Sequence, residues 1–215
     1  MAAIVAIMFV ISLLQGGISY AISFGELRGR LPIDLAWLVT TTFYGRFALS
    51  AAMAVLSILK HKRALVRSIL IVDGFFTLAL LSHTSALIGV LLGGAAEAVH
   101  ALLIDVMLMA VSNILIFSIW YWMIDRPEMG DESRAGEPWQ FLFPQRGGSI
   151  PHYESWFPQY WDYLFVAFTT SFAFSPTDVL PLTRRAKMLM MLPAAISVVI
   201  LTGIAGSAIN ILAGR

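Results

Sequence analysis

Arg46, Asp73, Glu97, His100, Asp105 and Asn113 are ionisable or strongly polar side chains that stand in otherwise apolar sequence. Arg46 falls near the middle of one hydrophobic stretch. Asp73 lies about one turn into the next and Asp105 about two turns into the one after. An ionisable group in hydrocarbon costs at least about 2.5 kcal/mol, so these residues must face a bundle interior and pair with one another. Arg46 with Asp105 or Asp73 is the expected ion pair. Three chemistries fit such a set: polar glue between helices, a water-lined path for ions or protons, and a substrate site. Residue type alone leaves all three open.

Other chemistries find less support. Glu97 and His100 share an i, i+3 face, but only four His occur in the chain, and His61 and His152 belong to different loops. A Glu-x-x-His pair serves a di-metal bundle only with a second copy and further carboxylates, so no metal site is expected. With no Cys there is no disulfide, thiol chemistry or Cys-ligated cluster. A Gly-x-Ser-x-Gly elbow is missing. Gly93-Gly94 and Gly147-Gly148 lack the Lys and the preceding strand of a phosphate loop. Nothing here calls for an enzyme or a cofactor, and a net charge of +1 with no basic, aromatic-studded face argues against nucleic acid.

The elements that must position these residues are membrane helices. Hydrophobic residues make up 59% of the 215 and charged residues 13%, against about 25% charged in a soluble domain, and the mean hydropathy is +0.81. An all-α integral membrane protein of about five spans plus a half-span is expected, with the lipid bilayer as its first partner. Spans are placed at 1–24, 35–59, 68–92 and 99–124, each long enough to cross as a helix. The first opens without a basic leader or a clear cleavage site, so it reads as a transmembrane helix and not as a signal peptide. The chain thus divides into a four-span bundle (1–124), a polar loop (125–160) and a C-terminal module (161–215). Trp120, Tyr121 and Trp122, then Trp156, Tyr160 and Trp161, mark interfacial belts on either side of the loop.

The C-terminal module has its own pattern. About 14 apolar residues from Trp161 give about 21 Å of helix, too short for a hydrocarbon core of about 30 Å. The segment runs into Ser175-Pro176-Thr177-Asp178, a short connector and one full span. A half-span ending in a polar turn predicts a re-entrant loop, because non-helical backbone at membrane depth survives only where protein buries it or water reaches it. The last span carries Gly203 and Ser207, a small-xxx-small pair that lets a second helix approach closely, within the chain or from another copy.

Asp162-Tyr163-Leu164-Phe165, Phe168-Thr169-Thr170, Ser175-Pro176-Thr177-Asp178, Pro181-Leu182-Thr183-Arg184 and a span closing on Asn210-Ile211-Leu212 together resemble the pore module of two-span potassium channels. The segment is also similar to a family of uncharacterised bacterial multispanning proteins, with Phe141-Leu142-Phe143-Pro144 matching a Phe-Pro motif before the half-span. The resemblance covers about 100–215 and implies a bacterial inner (plasma) membrane. The match fails at the filter. Residues 171–178 contain no Gly, whereas the filter carbonyl ladder depends on glycines with positive φ. Any passing ion would meet the hydroxyls of Thr169, Thr170, Ser175 and Thr177 and the Asp178 carboxylate, in a wider and less selective site.

The expected function is a homo-oligomeric, channel-like protein, tetrameric if the half-spans converge on an axis, that passes a monovalent cation without strong selectivity. The alternatives are a small-solute transporter and a non-conducting scaffold with a vestigial pore fold. If all four early spans cross, ten of the fourteen Lys and Arg residues lie on one side, Lys60, Lys62, Arg63 and Arg67 among them. The positive-inside rule makes that side cytoplasmic. A single Cys placed at His61 in this Cys-free chain should therefore resist an impermeant thiol reagent added to intact cells and react once they are opened; labelling from outside reverses the orientation.

Overall fold

The computed structural model describes residues 2–18, 62–93, 99–125, 138–147, 150–153, 156–172 and 178–212, with isolated positions 45, 48, 52 and 55. The described chain is mostly helical. Five helices carry it: α1 (Ala2–Gly17), α2 (Lys62–Gly93), α3 (Val99–Ile124), α4 (Tyr160–Phe172) and α5 (Arg184–Leu212). Three of them hold stretches long and apolar enough to cross a membrane: Ala64–Gly89, Leu102–Ile124 and Arg184–Gly206. The expected 35–59 span falls almost wholly outside the described residues. In α1 the 16 helical residues rise about 24 Å, short of a full crossing on their own.

The chain forms two compact units. The first comprises residues 1–116 and 198–215. In α1, Ile4, Met8, Ile11, Ser12 and Gln15 are buried; in α2, Leu65, Ile69, Val72, Phe76, Leu80 and Leu87 are. Both sets follow the i, i+3/i+4 spacing of one helical face. Gln15 secures the α1–α2 contact by donating from Nε2 to the Phe76 carbonyl at 2.9 Å. Gly203 of α5 is buried where a Cβ would come within 3.2 Å of Val106 Cγ2 and 3.3 Å of Leu87 Cδ2. The missing side chain lets α5 approach α2 and α3.

The second unit, residues 117–197, is built around the end of α3, the start of α5 and α4. Before α4 the Gln159 N–H donates to Asp162 Oδ2 at 2.6 Å. That acid in the first turn caps the helix and suits its positive end. One face of α4, Tyr160, Tyr163, Val166, Ala167, Thr170 and Ser171, is buried. Trp161, Phe165, Phe168 and Phe172 form the opposite, exposed face. Two short strands, β1 (Phe141–Leu142) and β2 (Leu180–Pro181), pair antiparallel with Phe141 opposite Pro181 and Leu142 opposite Leu180.

The ladder continues into the start of α5. Leu182 N–H donates to the Gln140 carbonyl at 2.8 Å. Thr183 caps α5, its hydroxyl oxygen accepting from Ala186 N–H at 3.2 Å while donating to Gln140 Oε1. One residue thus ends the loop, starts the helix and joins the two. Thr183→Val keeps the shape and removes the cap and the latch, which should lower stability by about 0.5–2 kcal/mol, whereas Thr183→Ser should hold near wild type. Thermal unfolding in detergent reads the difference; coincident melting of the two variants would mean that the latch contributes nothing.

Candidate functional site

Two buried carboxylates, in different units, are treated by the fold in opposite ways. Asp125 follows directly on the apolar stretch that ends at Ile124, where its own N–H still donates to the Tyr121 carbonyl at 3.2 Å. An acid at a helix C-terminus meets the negative end of the helix dipole and needs donors from elsewhere. It has four. Its Oδ1 accepts from the backbone N–H groups of Gln140 and Phe141 at 2.7 and 3.3 Å. Its Oδ2 accepts from Arg146 Nη1 at 3.0 Å and from the Tyr163 hydroxyl at 2.7 Å.

Arg146 also donates to the Phe141 carbonyl at 3.0 Å, and its guanidinium lies 4.8 Å from the centre of the Trp139 ring. Around this ion pair the rings of Tyr121, Phe141, Phe143, Trp156 and Tyr163 pack in tilted and edge-on contacts, centroids 5.3–6.3 Å apart. Burial, then the charge of and hydrogen bond to Asp125, hold the Tyr163 phenol well above its usual range. It therefore stays a donor throughout the physiological range. The cluster fastens α3, the 138–147 loop and α4 together.

Asp73 is the contrast. It is 1% exposed within the Ala64–Gly89 stretch, and neither carboxylate oxygen has a hydrogen-bond partner among the described residues. Phe76, whose carbonyl takes the Gln15 amide, follows one turn later, and Gln15 Oε1 is likewise buried with no partner among the described residues. Asp105, His83, Thr84, Ser112 and Asn113 are further polar side chains buried in the first unit. Carboxylate, amide, imidazole and hydroxyl groups in helices of this character can ligate a small cation or pass a proton.

The expected pore ligands are placed unevenly. Thr170 is buried and donates to the Val166 carbonyl at 2.7 Å. Thr169 is half-buried and donates back to Phe165 and Val166 at 3.0 Å each. Both hydroxyls spend their proton on α4 itself, and only their lone pairs remain for an ion. Asp178 is exposed just before β2. Ser175, Thr177, Arg46 and the side chain of Ser207 lie outside the described residues, so the Arg46 ion pair does as well. Among the described residues no three His, Asp or Glu side chains gather as a metal site. No family model, no curated protein and no solved structure matches the chain.

Sequence reasoning passed over Asp125, Gln140 and Arg146 and met Thr183 only as part of the channel-like connector. The available signal was Asp125 itself, an acid set against a helix C-terminus directly after an aromatic belt. Asp125→Ala strands the buried Arg146 charge and should cost about 3–5 kcal/mol. Tyr163→Phe removes a single bond to a charged acceptor and should cost about 1.5–3 kcal/mol. Melting temperatures of the two variants in one detergent test the order; a Tyr163→Phe protein less stable than Asp125→Ala would mean that the carboxylate is not the centre of the cluster.

Proposed function

We propose that the chain is an integral membrane protein that passes a small cation and that Asp73 is the carboxylate that handles it. The observation that carries this reading is the state of the Asp73 side chain: buried, within a stretch apolar enough to cross, with both oxygens unpartnered among the described residues. Leaving a buried polar group unbonded costs about 1–3 kcal/mol, more when it is charged. A carboxylate that served only as glue between helices would end in a bond to its neighbour, as Asp125 does. A cation arriving at Asp73 would give its oxygens a partner, and Gln15, Asp105, Ser112 and Asn113 are further buried polar side chains of the same unit.

A second reading, the oligomeric channel with a re-entrant half-span, draws on the second unit. Gln140 is bonded both to Asp125, at the end of one candidate span, and to Leu182 and Thr183, at the start of another. If both spans cross, the chain between them leaves and returns on one face, and α4 dips in or lies flat without crossing. Its exposed aromatic face and the exposed Asp178 would then meet lipid or neighbouring copies, four in the tetrameric arrangement. The two readings share the cation as cargo and differ in the carboxylate that meets it.

Proteoliposomes separate them. Purified protein given gradients of protons, Na⁺ and K⁺ in turn should pass at least one, and Asp73→Asn should reduce that flux at least about tenfold while the protein stays folded, the scale of a lost charged interaction of 1.5–3 kcal/mol. Flux that survives Asp73→Asn but falls with Asp178→Asn moves the cargo to the pore turn. Wild-type protein that passes none of the three ions leaves the non-conducting scaffold.

A further inference from the structure

The start of α5 carries an amphiphilic patch whose basic residues neither cation reading uses. Arg184, Arg185 and Lys187 are all exposed. Among the described residues none of them forms an ion pair, although the exposed Asp178 is close in sequence. Counting that acid, the patch holds three positive charges against one negative. These cations occupy the first turn of the Arg184–Gly206 stretch, the level at which a crossing helix meets the lipid headgroups.

Apolar surface adjoins the charges on both sides. Met188 and Met191, 68% and 64% exposed, follow Arg184 at i+4 and i+7 and so share its face one and two turns further along the helix. Leu180 and Leu182, also exposed, precede the cations and point to one side of the extended β2 segment. Two further features fix the place of the patch. Thr183 caps the helix and is tied to Gln140, so the first turn is held in a set position. The first-turn N–H groups add partial positive charge at the same end.

We infer that this patch binds the headgroup of an anionic phospholipid, with the phosphate against Arg184, Arg185 and Lys187 and an acyl chain along Met188 and Met191. A free phosphate ion would account for the charges but not for the apolar faces that flank them. A lipid in the bilayer accounts for both, and each cation near an anionic surface strengthens the attraction roughly fivefold. The inference does not depend on which carboxylate carries the cargo.

Native mass spectrometry of the protein released from nanodiscs tests it. Wild-type protein should retain phosphatidylglycerol in preference to phosphatidylcholine. The combined variant Arg184→Gln, Arg185→Gln, Lys187→Gln should lose that preference with its helix content and monodispersity unchanged, and Arg184→Lys with Arg185→Lys should keep it. No anionic preference in the wild type overturns the proposal, as does a preference that survives the combined variant. Displacement of phosphatidylglycerol by millimolar inorganic phosphate overturns it as well, because it would make the site one for a free anion. If the combined variant misfolds, the single variants decide, each lowering retention roughly fivefold for the proposal to stand.

Discussion

A buried carboxylate has to be neutralised or saturated with donors, and the second unit is organised by how Asp125 meets that demand. Desolvating an acid costs several kcal/mol, and the attraction to one cation repays this only when the remaining lone pairs are bonded as well. Four donors reach Asp125, from Gln140, Phe141, Arg146 and Tyr163. They come from three kinds of segment: the extended backbone at Gln140 and Phe141, the short 3-10 helix Pro144–Gly147 that carries Arg146, and α4. The bonds form only when all three are in place, so a single charge fixes three otherwise independent pieces of chain. Short β-pairing then extends the order to β2 and, through Thr183, to α5.

This dependence explains why so short a helix as α4 holds its position. Thirteen residues are marginal as an isolated helix, and half of the α4 surface is an exposed aromatic face. Stability comes from the buried side, where Tyr163 bonds to Asp125, and the Tyr160 hydroxyl lies 2.5 Å from that of Ser118 on α3. The Phe141-Leu142-Phe143 run contributes in the same way. Phe141 and Phe143 are buried among the rings while the backbone between them pairs with β2. The motif noticed in the sequence before the half-span is therefore the centre of a packed cluster.

Three of the apolar elements were legible in the sequence to within a few residues. The stretch placed at 99–124 coincides with α3, that at 68–92 lies within α2, and the apolar segment from Trp161 corresponds to the helix Tyr160–Phe172. Length and composition decide such elements, and both are local. Asp73 was legible too, because an acid in an apolar run stands out. The Asp125 cluster was not. Two of its four donors are backbone N–H groups, which every residue possesses, and its partners lie 15 to 38 positions away. Gln140 and Thr183 look like ordinary loop residues until the strand pairing brings them together.

Saturation also limits what Asp125 can do. Asp125 accepts four hydrogen bonds, about the full capacity of a carboxylate, and its cation is already supplied by Arg146 at 3.0 Å. A mobile cation reaching it would have to displace the guanidinium and break the contacts that hold α4. Such an acid can organise a fold but is poorly suited to exchange. Asp73 has the opposite character, with its acceptor capacity unused among the described residues. It sits in a helix whose neighbours at Leu80, Thr84 and Leu87 are firmly packed and whose Thr84 hydroxyl is committed to its own backbone. A partner gained or lost there leaves the helix's own hydrogen bonds intact. The difference between the two acids lies in the donors around them: four reach Asp125, and none among the described residues reaches the side chain of Asp73.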